Sequence, residues 1–530
     1  KSFQGFSGSL NPQLRLFNAM LDYLDESETT HPYLAESLPQ LNTDTWRVSP
    51  DGAMETTYRL RPNLTWHDGT AFSADDFVFG WEVYSKPELG VANLLPFSAM
   101  EQATATDSRT LVIRWKRPYP DASSMDTNFQ ALPRHILSAA LHETDALGFT
   151  NLPFWGSEYV GLGAYKLEHW EPGAFIEASA FDGFVLGRPK IERLKVLFIG
   201  DPNTVLASML SGEGDFVTDF VLGVDEADAL EREWAARGIP GTVFFAPVLL
   251  RITQMQHRPD YVKPRALLDV RVRHALAQAF DTPSVIDGLT GGRGVLTYSL
   301  SSPRVAYYLT VERSISKSEY DPRAAQRLLE QAGLTRGADG FFQGPGGEPF
   351  QFDLWNDGGA YEKENRVYVD GLRRAGIDVS PQTLGRLQDE QFRALLPALF
   401  TGGSSPDRFT YLSRGAIPTP ENRWQGTNRG GWENLDYDRF YQAFKSTLDR
   451  DQRIQQIAQM EKALTEDVGA IPHYFTLVPT AAGPGLRGPR MRQTPDAVAG
   501  QSNISSWEWS TAPSGAATGP NQENSNSRGR

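Results

Sequence analysis

The chain has 530 residues, 40% of them hydrophobic, and a formal net charge of -14 at pH 7. This size and composition allow a large core, spread over roughly two to four domains or lobes. The acidic balance argues against a nucleic-acid partner, whose phosphates would be repelled, and no apolar run reaches the length of about 18 residues that a membrane-spanning helix needs.

Residue types that carry common chemistries are missing. Cysteine is absent, which excludes thiol nucleophiles, thiolate metal sites and disulfides. The eight histidines are scattered, and the sequence has no Gly-x-Ser-x-Gly elbow, Walker loop or dinucleotide fingerprint. We therefore expect no metal, no cofactor and no enzymatic activity. The amino terminus, "KSFQGFSGSLNPQL", has no signal-peptide pattern, as expected of a processed or truncated chain.

The first informative stretch is "YRLRPNLTWHDGTAFSADDFVFGWEVY". Residues 58–64 alternate between apolar and polar, which predicts a half-buried strand, and Asp68-Gly69 is typical of a turn. Ser73 then opens a helix with a capping box. The apolar face of this helix is predicted to contain Phe77, Val78, Trp81 and Tyr84. In this interpretation His67 and Asp68 build the turn and are not catalytic.

Further elements follow in chain order. Residues 165–180 predict a hairpin around the turn "EPG". Residues 189–217 read as strand, helix and strand, and we expect a right-handed βαβ unit. Three helices are predicted to begin at Asp269, Thr282 and Asp321 as N-caps, the last two with proline at the first helical position.

The stretch from 349 to 403 predicts the architecture. Strands "FQFDLW", "IDVSPQT" and "ALF" alternate with two helical segments, which indicates a parallel sheet covered on both faces. Ligands tend to bind outside the carboxyl ends of such strands, which here are "WNDGG" and "TGGSSPD". Helices near 437–448 and 452–466 and a strand "IPHYFTLVPTAA" follow. The tail from about 511 is predicted to be disordered.

Candidate ligand contacts combine flat aromatic side chains in polar loops with a few hydrogen-bonding groups. Tryptophans equally pack cores, an arginine can hold a carboxylate or simply lie in solvent, and aspartates are also ordinary cap residues. The candidate ligand-binding residues are Asn18, Trp155, Trp355, Asn356, Asp357, Ser404, Ser405, Asp407, Arg423, Trp424, Asn428 and Trp432.

Several segments carry a family resemblance through their order and spacing. They are "SLNPQL", "PYLAESLPQL", "YRLRPNLTWHDGTAFSADDFVFGWE", "ALPRHIL", "GLGAYKLEHWEPG", "DVRVRHALAQAFD", "YDPRAAQRLLEQAGL" and "ENLDYDRF". Together they resemble the family 5 extracellular solute-binding proteins of ABC importers, a group with oligopeptide-, dipeptide- and nickel-binding members.

The resemblance implies an α/β fold of the periplasmic-binding-protein type, a two-lobe clamshell (type II, with an extra subdomain) of mixed sheets flanked by helices. Its expected divisions are a discontinuous lobe I (1–41, 162–250 and 480–512), an extra subdomain (42–161), lobe II (251–479) and a disordered tail (513–530). The hinge is expected near 250–256 and 477–481.

The function that the resemblance implies is capture of a short peptide by lobe closure and its delivery to an ABC permease. A monomer at the periplasm or cell surface is expected, anchored as a lipoprotein through a segment upstream of this chain. The loop "TGGSSPDRF" departs from the peptide-binding pattern, because Asp407 is its only acidic residue. An oligosaccharide or glycoside is the alternative ligand. A glycoside hydrolase using Asp353 and Asp357 is the alternative from another class.

Overall fold

The structure is a computed structural model and describes residues 14–125, 128–385, 389–403, 408–494 and 503–510. In this part of the chain the α-helices are α1 (Leu14–Phe17), α2 (Ala74–Tyr84), α3 (Arg134–Glu143), α4 (Ala146–Thr150), α5 (Pro202–Ser211), α6 (Val224–Arg237), α7 (Val270–Ala279), α8 (Thr282–Thr290), α9 (Tyr308–Glu312), α10 (Pro322–Gln331), α11 (Ala360–Arg374), α12 (Glu390–Ala394), α13 (Arg408–Tyr411), α14 (Leu435–Phe444) and α15 (Arg450–Asp467).

The strands form several sheets. They are β1 (Asp22–Leu24), β2 (Thr30–Pro32), β3 (Trp46–Val48), β4 (Met54–Arg59), β5 (Met100–Asp107), β6 (Thr110–Trp115), β7 (Tyr165–Glu171), β8 (Phe175–Ala180), β9 (Arg193–Leu197), β10 (Phe216–Val217), β11 (Thr242–Met255), β12 (Val295–Leu296), β13 (Thr335–Arg336), β14 (Phe342–Gln343), β15 (Gln351–Asn356), β16 (Asp378–Thr383), β17 (Leu399–Gly403), β18 (Ala470–Ala482), β19 (Leu486–Arg487) and β20 (Glu508–Trp509). The mixed α/β class expected from the sequence is confirmed.

The largest sheet has the strand order β10-β18-β11-β17-β15-β16, with β12 also paired to β18. Strand β15 runs parallel to both β16 and β17, so the parallel sheet predicted over 349–403 is confirmed. Helices α11 and α12 connect these strands in chain order. The predicted strand "IPHYFTLVPTAA" is also confirmed as β18, which is buried along its whole length.

Strands β11 and β18 form a long antiparallel pair that reaches two groups of cores. At one end Ala481 packs with α5 and α6, in a cluster that includes Trp234. At the other end Tyr474 packs with α7, α8 and α11, and Phe475 packs with α14 and α15. The same two strands therefore connect bodies that are otherwise packed around different apolar cores.

The βαβ unit predicted over 189–217 is wrong. Strand β9 continues the confirmed hairpin β7-β8 as the third strand of a small antiparallel sheet. Strand β10 pairs instead with the end of β18. The local pattern gave the elements correctly, but a strand's partner depends on distant segments that compete for its edge.

Two element boundaries also differ from prediction. The strand expected over 58–64 ends at Arg59, and Pro62 lies beyond its end. The cap of α8 is Asp281 rather than Thr282, because the Asp281 carboxylate accepts a hydrogen bond from the Ser284 N–H at 3.2 Å. The predicted caps Asp269 and Asp321 are confirmed by the same kind of contact.

His67 fastens the polar turn before α2 to the segment "GLGAY". The Gly161 N–H donates to His67 Nδ1 at 3.2 Å, which leaves Nε2 to donate to the Gly163 carbonyl at 3.0 Å. Asp68 in turn contacts His135, with 2.7 Å between Oδ2 and Nε2. These are the architectural contacts that the sequence led us to expect for His67 and Asp68.

Gly163 allows the close approach that this junction needs. Its N–H donates to the Phe17 carbonyl at 2.8 Å, and a Cβ placed on it would collide with the backbone of Phe17 and Asn18. We expect Gly163→Ala to lower the free energy of unfolding by about 1–3 kcal/mol, because backbone cannot yield as a flexible side chain does.

Chemical denaturation of Gly163→Ala and of a control variant, Gly288→Ala, checks this prediction. A Cβ at Gly288 in α8 meets nothing within 4 Å, so this control is expected to keep or slightly raise stability. Equal stability of Gly163→Ala and wild type would contradict the packing described here.

No helix in the described part of the chain is long and apolar enough to cross a membrane. The tail predicted to be disordered, residues 513–530, lies outside the described residues.

Candidate functional site

The carboxyl ends of β15, β16 and β17 meet at one edge of the largest sheet. These strands end at Asn356, Thr383 and Gly403, and parallel pairing puts their ends on the same side. Ligands bind outside this edge in open α/β sheets. We call the side chains gathered there the carboxyl-edge site: Trp355, Asp357, Glu390, Arg393, Phe400 and Arg429.

An aromatic pair forms the apolar part of the carboxyl-edge site. Trp355 and Phe400 lie opposite each other in the β15–β17 register, so both side chains project from the same face of the sheet. Phe392 of α12 meets the Trp355 ring edge-on, with 5.8 Å between ring centroids. Among the described residues, the Trp355 indole Nε1–H has no acceptor, and it is shielded from solvent.

Two ion pairs flank these rings. Arg393 of α12 pairs with Asp357, which directly follows β15. Arg429 pairs with Glu390 at 3.1 Å between Nη2 and Oε2, and its guanidinium lies over the Phe400 ring at 5.8 Å from the centroid. The site therefore combines flat apolar surface with two cations and two anions.

A buried ion pair lies next to this edge. Arg251 of β11 is opposite Gly403 of β17 in the sheet. Its Nε donates to Glu364 Oε1 at 2.9 Å, its Nη1 donates to the Tyr361 hydroxyl at 3.1 Å, and its guanidinium lies 4.2 Å from the Tyr361 ring centroid. Burial lowers the pKa of the Arg251 guanidinium, but the Glu364 carboxylate together with Tyr361 and Tyr474 raises this pKa above its ordinary value.

Sequence reasoning missed this pair and the α12 side chains of the site. Arg251 had a usable signal, because it is the one charged residue in the run "VLLRITQM", and a charge in a central strand needs a partner. Its partner Glu364 lies 113 positions away on α11. Nothing in the local pattern of α11 distinguishes that glutamate from those on an exposed helix face.

Two of the predicted asparagines hold backbone in place. Asn356 donates to the Gln382 carbonyl at 2.9 Å and accepts from the Gly358 N–H at 2.7 Å. Asn428 is fully buried and donates to the Leu412 and Trp432 carbonyls at 3.0 and 2.8 Å. Their amides thus shape the loops around the carboxyl-edge site.

Two of the predicted tryptophans lie in cores. Trp155 is buried among residues of the amino-terminal cluster, and its indole donates to the Phe149 carbonyl at 2.7 Å. Trp432 is buried against Tyr437, and its indole donates to Asp467 at 2.7 Å. Because both indole N–H groups are bonded within the protein, these residues have the contacts of packing residues.

Arg423 and Trp424 lie in a strained loop close in sequence to Arg429. Both have left-handed backbone, with φ of 56° and 60°, a region that side chains other than glycine rarely adopt. The Trp424 N–H donates to the Thr419 carbonyl at 2.8 Å. Arg423 is exposed and Trp424 is half-buried, so both side chains are at least partly accessible to solvent.

The remaining predicted residues lie elsewhere or are not described. Asn18 is buried and accepts from the Tyr159 hydroxyl at 2.5 Å, in the part of the molecule that packs against Gly163. Ser404, Ser405 and Asp407 lie outside the described residues. Of the predicted set, the structure places Trp355, Asn356 and Asp357 together at the carboxyl edge. Within the described ranges no group of three or more metal-ligating side chains occurs.

Comparisons with known proteins agree with this architecture. The family model of the bacterial extracellular solute-binding proteins, family 5 Middle, matches residues 31–418. A putative ABC transporter peptide-binding protein of Brucella ovis is 25% identical over 344 residues, or 63% of this chain. That match spans only 59% of the Brucella protein's own length.

Two further relatives match over most of their length. The oligopeptide-binding protein AppA of Bacillus subtilis is 24% identical over 486 residues, 87% of this chain and 80% of AppA. The crystal structure of NikZ from Campylobacter jejuni in complex with Ni(L-His) has a TM-score of 0.74 at 22% identity, covering 94% of this chain and 95% of NikZ. The structural similarity to NikZ confirms the fold class expected from the sequence.

Proposed function

The chain belongs to the bacterial extracellular solute-binding proteins of family 5, and from this membership we propose that it captures a short peptide and delivers it to the permease of an ABC importer. The family consists of binding proteins rather than enzymes. The relatives named for oligopeptide or peptide binding support a peptide as the ligand.

The observation that carries the proposal is the composition of the carboxyl-edge site. Trp355 and Phe400 offer flat apolar surface, and the Asp357–Arg393 and Glu390–Arg429 pairs stand beside it. A peptide has the matching groups, because its side chains and backbone planes need apolar contact and its two ends carry opposite charges. Placement outside parallel strand ends favours binding there.

Capture would proceed by closure of two lobes. The proposed lobe I comprises 1–41, 162–250 and 480–512, the extra subdomain 42–161, and lobe II 251–479. Separate apolar cores at the two ends of the β11–β18 pair support this division.

The hinge is proposed near 250–256 and 477–481, where the β11–β18 pair crosses between the lobes. The register of this pair is interrupted between Pro247 and Leu249 and again between Arg251 and Ile252, and such irregularities bend a strand pair locally. The ligand would favour the closed state by contacting both lobes at once.

Location and assembly follow from the same proposal. The chain would act outside the cytoplasmic membrane, at the periplasm or cell surface, as a monomer that docks on permease subunits. Anchoring as a lipoprotein through an upstream segment is part of this proposal.

A thermal-shift screen tests the ligand class. Purified protein is heated with tri-alanine, penta-alanine, cello- and xylo-oligosaccharides, or nickel–histidine chelates. A ligand that binds only the folded state raises the melting temperature by mass action, and we expect at least one peptide to do so while the sugars do not.

Two outcomes would contradict the proposal. A shift with sugars alone would replace the peptide by an oligosaccharide or glycoside. A chromatographic search of the same mixtures for cleavage products covers the hydrolase alternative, and any product formed from an oligosaccharide would overturn the binding-protein interpretation.

A further inference from the structure

We propose that Arg429, assisted by Trp355, receives a carboxylate group of the bound solute. This inference deepens the proposed function and rests on it, because it assigns a chemical end of the ligand to one part of the carboxyl-edge site. It begins from two hydrogen-bond donors that have no acceptor among the described residues.

Both donors lie on the same patch of the sheet. Arg429 Nε and Trp355 Nε1 are shielded from solvent, and neither has an acceptor among the described residues. Trp355 lies opposite Phe400 in the register, and the Arg429 guanidinium covers that same Phe400 ring. A buried donor without an acceptor destabilises the protein, because it has lost its hydrogen bonds to water and gained none in return. An oxygen acceptor supplied by a ligand would remove this penalty for both groups.

The charges around Arg429 favour an anionic acceptor over a neutral one. Glu390 contacts one nitrogen of Arg429, at 3.1 Å, and the other nitrogens of the planar fork have no hydrogen-bond acceptor within the described ranges. Arg258 lies behind it and donates to the Arg429 carbonyl at 2.8 Å. In the described part of the chain, Arg258 donates to neutral oxygens such as Gln256 Oε1 and Pro418 O, so its charge adds to the local positive potential.

The site is reachable from one side. The Arg429 side chain keeps 23% of its surface exposed, although its Nε is shielded. The guanidinium geometry matches a carboxylate, which it binds through two parallel N–H donors. We therefore expect the acidic end of a ligand to meet the exposed nitrogens first and to reach Nε and the indole N–H as the lobes close.

The experiment compares matched ligands that differ only at this end. Calorimetric titration uses tri-alanine and penta-alanine, each as the free acid and as the carboxy-terminal amide. Wild type is expected to bind the acids about 30-fold more tightly than the amides, the effect typical of a desolvated charge pair. Arg429→Gln should lose this preference and weaken acid binding by about the same factor, with amide binding nearly unchanged.

Further variants separate recognition from structure. Trp355→Phe keeps an aromatic ring, although a smaller one, and removes the N–H donor, so acid binding should weaken about 5-fold. Arg439→Gln is the matched control, because Arg439 also covers a phenylalanine ring and pairs with a single carboxylate but lies exposed on α14. It should bind like wild type. If Arg429→Gln fails to fold, the acid–amide comparison in wild type and in Trp355→Phe still tests whether the site binds a carboxylate.

The outcomes are distinct for the two proposals. Equal affinity of wild type for acid and amide, or an acid preference that survives in Arg429→Gln, would overturn the role of Arg429 while leaving peptide binding intact. Failure of wild type to bind either form of either peptide would overturn the proposed peptide function, and the inference would fall with it.

Discussion

Acidification from pH 7 to pH 5 is expected to lower the free energy of unfolding by about 5–6 kcal/mol through three buried histidines, His67, His257 and His473, at about 2 kcal/mol each. Burial lowers the pKa of His67 and of His257 to about 4 and the pKa of His473 to about 3. An unfolded histidine titrates near 6.5. Between the native and the unfolded pKa values, the unfolded chain binds protons at these histidines and the native protein does not.

The direction of the effect follows from this difference in bound protons. Stability is fully present above pH 6.5, falls as the pH decreases below that value, and continues to fall until the native histidines themselves become protonated near pH 4 and pH 3. His473 is held between the hydroxyls of Thr253 and Thr282, at 2.8 and 3.1 Å from its two ring nitrogens. Its ring also stacks on Tyr368 at 4.7 Å between centroids, so these contacts of His473 in the described part of the chain are all with uncharged groups.

Denaturant titrations between pH 4.5 and pH 7.5 measure the effect. His67→Asn should reduce the pH dependence by about a third of the part expected from the three histidines. The control His142→Gln changes a histidine whose side chain is 61% exposed and should leave the slope as in wild type. An unchanged slope in His67→Asn would contradict the assignment of His67 as a buried neutral group.

Glu364→Ala is expected to lower the free energy of unfolding by about 3–5 kcal/mol, because it leaves the Arg251 guanidinium charged and buried without its carboxylate. Side-chain exposure is 7% for Arg251 and 3% for Glu364, so water cannot take over the lost contact. The remaining partner is Tyr361, through its hydroxyl and its ring. Neither carries a compensating negative charge.

Equilibrium denaturation of single and double variants tests this expectation. The double variant Arg251→Met with Glu364→Met removes both charges and should regain most of the stability lost in Glu364→Ala. Comparable loss in the single and double variants would show that the region depends on shape alone. The structural change in the double variant should be confined to the surroundings of Arg251, which borders the second register break in the β11–β18 pair.

Much of the fold was predictable because its signals are local. Asp269 and Asp321 begin helices through their own side chains, which accept hydrogen bonds from N–H groups two or three residues ahead. The alternation of strands and helices over 349–403 likewise specified parallel pairing, since each helix returns the chain to the same side of the sheet. These features need only residues that are close in sequence.

The site was predictable in part for the same reason. Trp355 and Asp357 were identified because they follow a predicted parallel strand, and the structure places them at its carboxyl end. Trp155 and Trp432 showed the same loop signal, but the structure buries both and bonds their indoles internally. A loop tryptophan therefore predicts a large contact area without saying whether protein or ligand supplies the other side.

What the sequence by itself determined was the set of elements, their caps and the parallel part of the largest sheet, because backbone hydrogen bonding and apolar periodicity act over a few residues. Tertiary structure alone decided that β9 and β10 join different sheets, that Arg251 pairs with Glu364, and that Arg429 covers Phe400. These contacts join residues distant in sequence, and their energies depend on how whole elements pack, desolvate and compete for the same partners.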